Sequence, residues 1–184
     1  MVHLACVGLA VGDPEEVAGR LELDFGLPRS TTSAGDARVE VPLVRAGACA
    51  IALHPVGEGV TEDANWPGVH HLVMCTPDAD AAINAASASG ITISDSVELY
   101  GTRAVLLERK KLGGVRLFVC SSFDLPAIGR GPVERIDHIG VASANNVSLL
   151  DSFCSSLGCA LESQQTDLEV ATAVESFSSD KYGV

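Results

Sequence analysis

Cys6 in "ACVGLAV", His71 in "HHLVMC" and His138 in "IDHIGVA" each stand at the start of an apolar run that reads as a strand. A neutral imidazole is the commonest protein ligand of a transition metal and a base near neutral pH, so the two histidines are the candidates for chemistry. Alternate residues of a strand share a face, which sets His138, Gly140 and Ala142 on one side and Asp137, Ile139 and Val141 on the other. Small neighbours leave space for a ligand beside the His138 imidazole; the competing reading is a core histidine with a hydrogen-bond partner. His71 carries the same two readings, and His70 next to it faces the opposite side. Cys6, between Ala5 and Val7, reads as packing, since a free thiol behaves as a small hydrophobe.

The elements around these residues recur. "ACVGLAVGDPEEVAGRLELDFG", "HHLVMCTPDADAAINAASASG" and "DHIGVASANNVSLLDSFCSSLG" each read as an apolar strand, a polar or proline-bearing break, and a helix closed by glycine. Cys6, His71 and His138 are 65 and 67 residues apart, and Gly26, Gly90 and Gly158 follow them by 20, 19 and 20. Asp13-Pro14 and Thr76-Pro77 place a capping oxygen before a proline, and Asn145 or Asn146 caps the third helix. Three further strand-like runs follow each of the first two helices, among them "ARVEVPLVRAG" and "ACAIALHP" in the first case and "TRAVLLERK" and "GVRLFVCSS" in the second. The pattern predicts an α+β chain of repeated βαβββ modules at 1–57 and 68–122, and an incomplete third at 133–184 with a first strand, a helix and one or two strands.

Composition excludes several functions. A formal charge of −12 and a pI near 4.6 are unsuited to nucleic acid or an anionic membrane, which require clustered Lys and Arg. Small molecules are the expected partners. The absence of an apolar run of roughly 18 residues, and of a signal peptide, predicts a cytoplasmic protein whose six cysteines are reduced. The motifs of nucleotide-dependent and serine-hydrolase chemistry are missing. The basic run Glu108–Lys111, "ERKK", reads as a solvated strand end or turn, with contact to an anionic substrate tail as its alternative.

A βαβββ unit of about 65 residues that opens with "IDHIGVA" and has a helix ending in "LG" resembles the vicinal oxygen chelate superfamily. That superfamily includes glyoxalase I, methylmalonyl-CoA epimerase, extradiol and 4-hydroxyphenylpyruvate dioxygenases and bleomycin-resistance proteins. The resemblance implies that two modules pair into an incomplete barrel around a divalent metal, Fe²⁺, Mn²⁺, Co²⁺ or Zn²⁺. Ligands in the superfamily come from the first strand and the last strand of a module, which nominates His138 and His71 as metal ligands. The remaining positions fall on Cys6, Ile51 and Phe118, a set that holds no catalytic metal. By parity His54 lies opposite Ile51 and His3 opposite Cys6, so neither is expected to complete the site. Glu169 and Glu175 are carboxylates in the third module but do not fall where the repeat places a ligand.

The resemblance thus implies an N-terminal, metal-free pair followed by the opening of a metal-bearing one, as in four-module dioxygenases. A lyase or isomerase of the glyoxalase or methylmalonyl-CoA epimerase type, and a metal-free small-molecule binding protein, are the alternatives. No catalytic residue and no organic cofactor are assigned. Unpaired strand edges in an incomplete third module predict association with a second copy.

Overall fold

The computed structural model describes residues 2–35, 39–125, 129, 131–141, 146–167 and 172–178. In chain order come β1 (His3–Val11), α1 (Pro14–Phe25), β2 (Arg29–Ala34), β3 (Val39–Ala46) and β4 (Cys49–Pro55). Then follow β5 (Gly68–Cys75), α2 (Ala79–Ala88), β6 (Ile93–Leu99), β7 (Thr102–Leu107) and β8 (Arg116–Cys120). The last elements are α3 (Asn146–Asp151), a π-helical turn over Ser152–Ser156, β9 (Ala160–Asp167) and β10 (Thr172–Ser178). Among the described residues no helix is long and apolar enough to cross a membrane.

Capping chemistry sets the helix starts. Asp13 accepts from the Glu16 amide at 3.0 Å ahead of Pro14, and Gly26 ends α1 in the left-handed region at φ 64°. The second helix begins later than expected: its cap is Asp78, which accepts from the Ala81 amide at 3.1 Å, and not Thr76. Asn145, one of the two caps considered for α3, lies outside the described residues.

Strands β1–β8 form one sheet in the order β1-β4-β3-β2-β6-β7-β8-β5, and β1 pairs with β5 to close it. The barrel is therefore closed, not incomplete as expected. Among the described residues its last seam, between β2 and β6, is a single pair, Ala34 with Leu99. Both residues are buried in the interior cluster with Val41 and Tyr100, so burial of their side chains brings the two edges together. Pairing is parallel for β1–β4 and β5–β8 and antiparallel elsewhere in the barrel.

Strands β4, β5 and β8 are largely buried on both faces, which explains their nearly continuous apolar runs. Cys6, Leu43, Ala50, Ala52, Val73 and Phe118 fill the interior. Outside, α1 covers Val44 and Leu53 through Ala18, and α2 covers Leu72, Leu117 and Val119 through Ala86. No disulfide joins the six cysteines, and burial is the main cause that pushes the Cys49 and Cys120 thiols up to about 12.

The expected strand at "IDHIGVA" does not form: residues 133–141 have no regular secondary structure. A strand needs a free edge to pair with, and closure leaves the barrel none. Ile136 and Ile139 instead both pack on the outer cluster, a spacing of three that no strand face supplies. The segment passes close to the β3–β4 turn, where a Cβ on Gly47 would lie 1.6 Å from the Glu134 carbonyl oxygen. Strands β9 and β10 form a separate two-stranded sheet.

Candidate functional site

Strand register brings three interior side chains to one end of the barrel. Gly8 pairs with Ala52 on β4 and with His71 on β5, and Ala10 pairs with His54. His54 and His71, 2% and 1% exposed, therefore both project inward. Tyr100 joins them from the two-residue turn between β6 and β7, where Tyr100 at φ 54° and Gly101 at φ 75° occupy consecutive left-handed conformations. A mirror-image hairpin turn of this kind prefers Asn or Gly at its first position. A fully buried tyrosine there is held against its backbone preference by its surroundings.

What holds it is a chain of hydrogen bonds. The Tyr100 hydroxyl lies 2.5 Å from His54 Nε2 and 2.7 Å from His71 Nε2. His71 Nδ1 lies 2.9 Å from His70 Nδ1, and His70 Nε2 lies 2.7 Å from Asp63 Oδ1. Asp63 sits on the connector between β4 and β5. Arg116 Nη2 donates to its Oδ2 at 2.9 Å, and Arg109 also donates to Oδ2.

The carboxylate sets the direction of every link. Burial acts to raise the Asp63 pKa, but the His70 hydrogen bond and the charges of Arg116 and Arg109 outweigh it, so the group stays ionised. An ionised carboxylate only accepts, so His70 Nε2–H donates to it and His70 Nδ1 accepts from His71 Nδ1–H. His71 Nε2 then accepts from the Tyr100 hydroxyl, and the phenol oxygen accepts from His54 Nε2–H. Three neutral imidazoles satisfy the whole chain. Burial, followed by the charge of His70, lowers the His54 pKa to about 4, and burial first lowers those of His71 and His70 too. Burial pushes the Tyr100 phenol well above its usual range.

This donor set does not fit a divalent metal. The two Nε2 atoms converge on a point that the phenol oxygen fills, at distances longer than the roughly 2.0–2.1 Å of a metal–imidazole bond. Asp63 bonds His70 on the side away from His71, so no carboxylate shares their face. Among the described residues no three His, Cys, Asp or Glu side chains are grouped to hold an ion.

The two predicted metal ligands lie in different settings. His71 is buried in the barrel, whereas His138 lies in the non-strand segment with its side chain 87% exposed. Its Nδ1 stands 3.3 Å from Asp137 Oδ2, and Arg135 Nη2 holds Asp137 at 2.8 Å. The opposition of His54 and Ile51 holds, but the inward face is that of His54; Ile51 packs outward against the cluster under α1. Phe118 and Cys6 do face inward, as packing. Glu169 lies outside the described residues and Glu175 falls in β10. Tyr100 and Asp63 were not expected; the one available signal for the first was an aromatic residue before glycine in "LYGTR".

No family model and no curated protein matches the chain. Solved structures do match. Methylmalonyl-CoA epimerase from Mycobacterium tuberculosis has 20% identity over 66% of this chain and 88% of its own, with a TM-score of 0.58. A hypothetical protein from Bacillus halodurans C-125 has 16% identity over 67% of this chain and 96% of its own, TM-score 0.59. A xylose isomerase-like TIM barrel/4-hydroxyphenylpyruvate dioxygenase fusion protein has 18% identity and a TM-score of 0.65, over 95% of this chain and 30% of its own. At these identities the likeness is one of fold.

Proposed function

We propose that this chain, whose fold is that of the vicinal oxygen chelate superfamily, is the N-terminal part of a divalent-metal-dependent enzyme of the dioxygenase type. Residues 1–122 are its metal-free half, in two modules at 1–57 and 68–122, and the segment from residue 133 opens the metal-bearing half. The observation that carries this reading is the Tyr100 hydroxyl, which fills the point where His54 and His71 converge. The likeness of 95% of this chain to the dioxygenase fusion protein supports this reading.

His138 is the ligand this chain offers. Asp137 at its Nδ1 fixes the ring and leaves Nε2 as the donor, the arrangement by which a carboxylate orients a metal-bound imidazole. The metal in such an enzyme binds two adjacent substrate oxygens and acts as a Lewis acid or redox centre. An epimerase-type reaction is the second reading, supported by the likeness of the barrel region to methylmalonyl-CoA epimerase. Sequestration of a small molecule inside the barrel is disfavoured by Leu43, Leu99, Tyr100 and Phe118, which occupy the interior.

Nitric oxide added to the ferrous full-length protein tests the dioxygenase reading, because it ligates open iron sites and gives a distinctive paramagnetic signal. We expect the signal in the native protein and in His71→Ala, and its loss in His138→Ala. A native protein that binds iron without any signal would sink the dioxygenase reading.

A further inference from the structure

Beside the interior site, on the end of the barrel where β5 and β8 begin, lies a cleft of about 210 Å³. Its walls include His70 on β5, the turn Gly113–Val115, Arg116, and Ile139 to Val141 of the non-strand segment. A drug-sized ligand takes roughly 300–1,000 Å³, so this space suits a small ion or one polar group of a larger molecule.

Arg116 is the permanent cation of its walls, and the chain leading to Arg116 is unusually basic. Against a formal net charge of −12, four of the 12 Lys and Arg residues, Arg109, Lys110, Lys111 and Arg116, fall within residues 109–116. The guanidinium groups of Arg109 and Arg116 meet at one oxygen, Asp63 Oδ2, with His70 on the other oxygen. Two permanent cations thus face one carboxylate. The remaining donors of Arg116 are unequally used: Nη1 donates to the Val60 carbonyl at 3.2 Å, but Nε is buried without a hydrogen-bond partner among the described residues. A buried guanidinium N–H left unpaired costs free energy, and such groups in a folded protein call for an explanation. An ion pair that merely ties the connector to the barrel accounts for the Nη atoms. It leaves Nε unexplained.

We propose that this cleft binds a small oxyanion, a carboxylate or phosphate group, with Arg116 as its principal donor, Arg109 as the second cation, and Asp63 as a built-in competitor for the same two guanidinium groups. A bidentate oxyanion takes two parallel N–H donors of one arginine, and the Nε–H and Nη2–H edge of Arg116 presents that fork once Asp63 gives way. Asp63 belongs to the connector rather than to a strand, so its withdrawal leaves the barrel ladder intact. The competitor lowers apparent affinity by the fraction of molecules in which it occupies the site.

The test is calorimetric titration of the full chain with inorganic phosphate and, separately, acetate, in a buffer without other oxyanions. Saturable one-to-one binding is expected, at least ten-fold tighter in Asp63→Asn, lost in Arg116→Gln and unchanged in Arg29→Gln, whose arginine pairs with α1. Arg109→Gln, at a side chain 45% exposed, keeps the test decisive if Arg116→Gln does not fold, and should weaken binding at least three-fold. Binding of one anion but not the other supports the site and assigns its chemical class. Binding of neither, binding that survives in both arginine variants, or an Asp63→Asn affinity equal to or below the native one overturns the proposal.

Discussion

Tyr100 contributes to this molecule mainly through one oxygen atom. Removing that oxygen leaves the ring in place but strips His54 Nε2 and His71 Nε2 of their shared partner, in a region where neither imidazole meets water. Tyr100→Phe should therefore destabilise the protein by about 2 kcal/mol or more, measured by urea unfolding, although the exchange is mild at most buried sites. The histidines also make stability depend on pH. In the unfolded chain His54 takes a proton near 6.5, in the folded chain only near 4, so between these values the unfolded state binds more protons. Its contribution is complete above pH 6.5, declines as pH falls, and at pH 4 about 3 kcal/mol has been lost. His70 and His71, also lowered, act in the same direction, and the lowered Asp63 adds a loss below its ordinary value of 3.8. The unfolding midpoint in urea should fall steadily from pH 7 to pH 4. A flat profile would show that these histidines take up protons in the folded state as readily as in the unfolded one. At this scale the sequence was a partial guide: it singled out His71, but a tyrosine in a left-handed turn position contradicts local preference, and only the closed barrel explains why it is tolerated.

At the scale of elements, strand parity relates the residues of one strand to each other. His71 and Phe118 face inward, and the helices α1 and α2 begin and end close to their proline and glycine signals. Parity alone does not say which face is which. In β4 the inward set is Ala50, Ala52 and His54, fixed by pairing with Cys6, Gly8 and Ala10, and that register is a long-range property no local pattern carries. The "IDHIGVA" segment shows the same limit: its composition suits a strand, but a strand exists only against a free edge. Register also yields a prediction at Gly8. A Cβ there would lie 2.0 Å from Cε1 of the His71 ring, so Gly8→Ala must displace the imidazole and break its bonds to Tyr100 and His70. The expected cost is roughly 1–3 kcal/mol from overpacking, with loss of the share of the acid sensitivity that buried His71 contributes. A Gly8→Ala protein as stable as the native one, with an unchanged pH profile, would contradict this register.

For the whole molecule, closure and metal content are linked. A barrel closed between β2 and β6, and filled by Leu43, Leu99, Tyr100 and Phe118, has its interior committed to packing and to one neutral hydrogen-bond chain. The α+β class was legible because glycine, proline and apolar period are local signals. Closure was not, because it rests on a contact between residues 34 and 99. Metal analysis of the full-length protein by mass spectrometry, with the native chain, His71→Ala and His138→Ala compared, tests the central claim most directly. One divalent ion per chain is expected in the native protein and in His71→Ala, and none in His138→Ala. Metal lost with His71 and kept without His138, or no bound metal in the native protein, would contradict it.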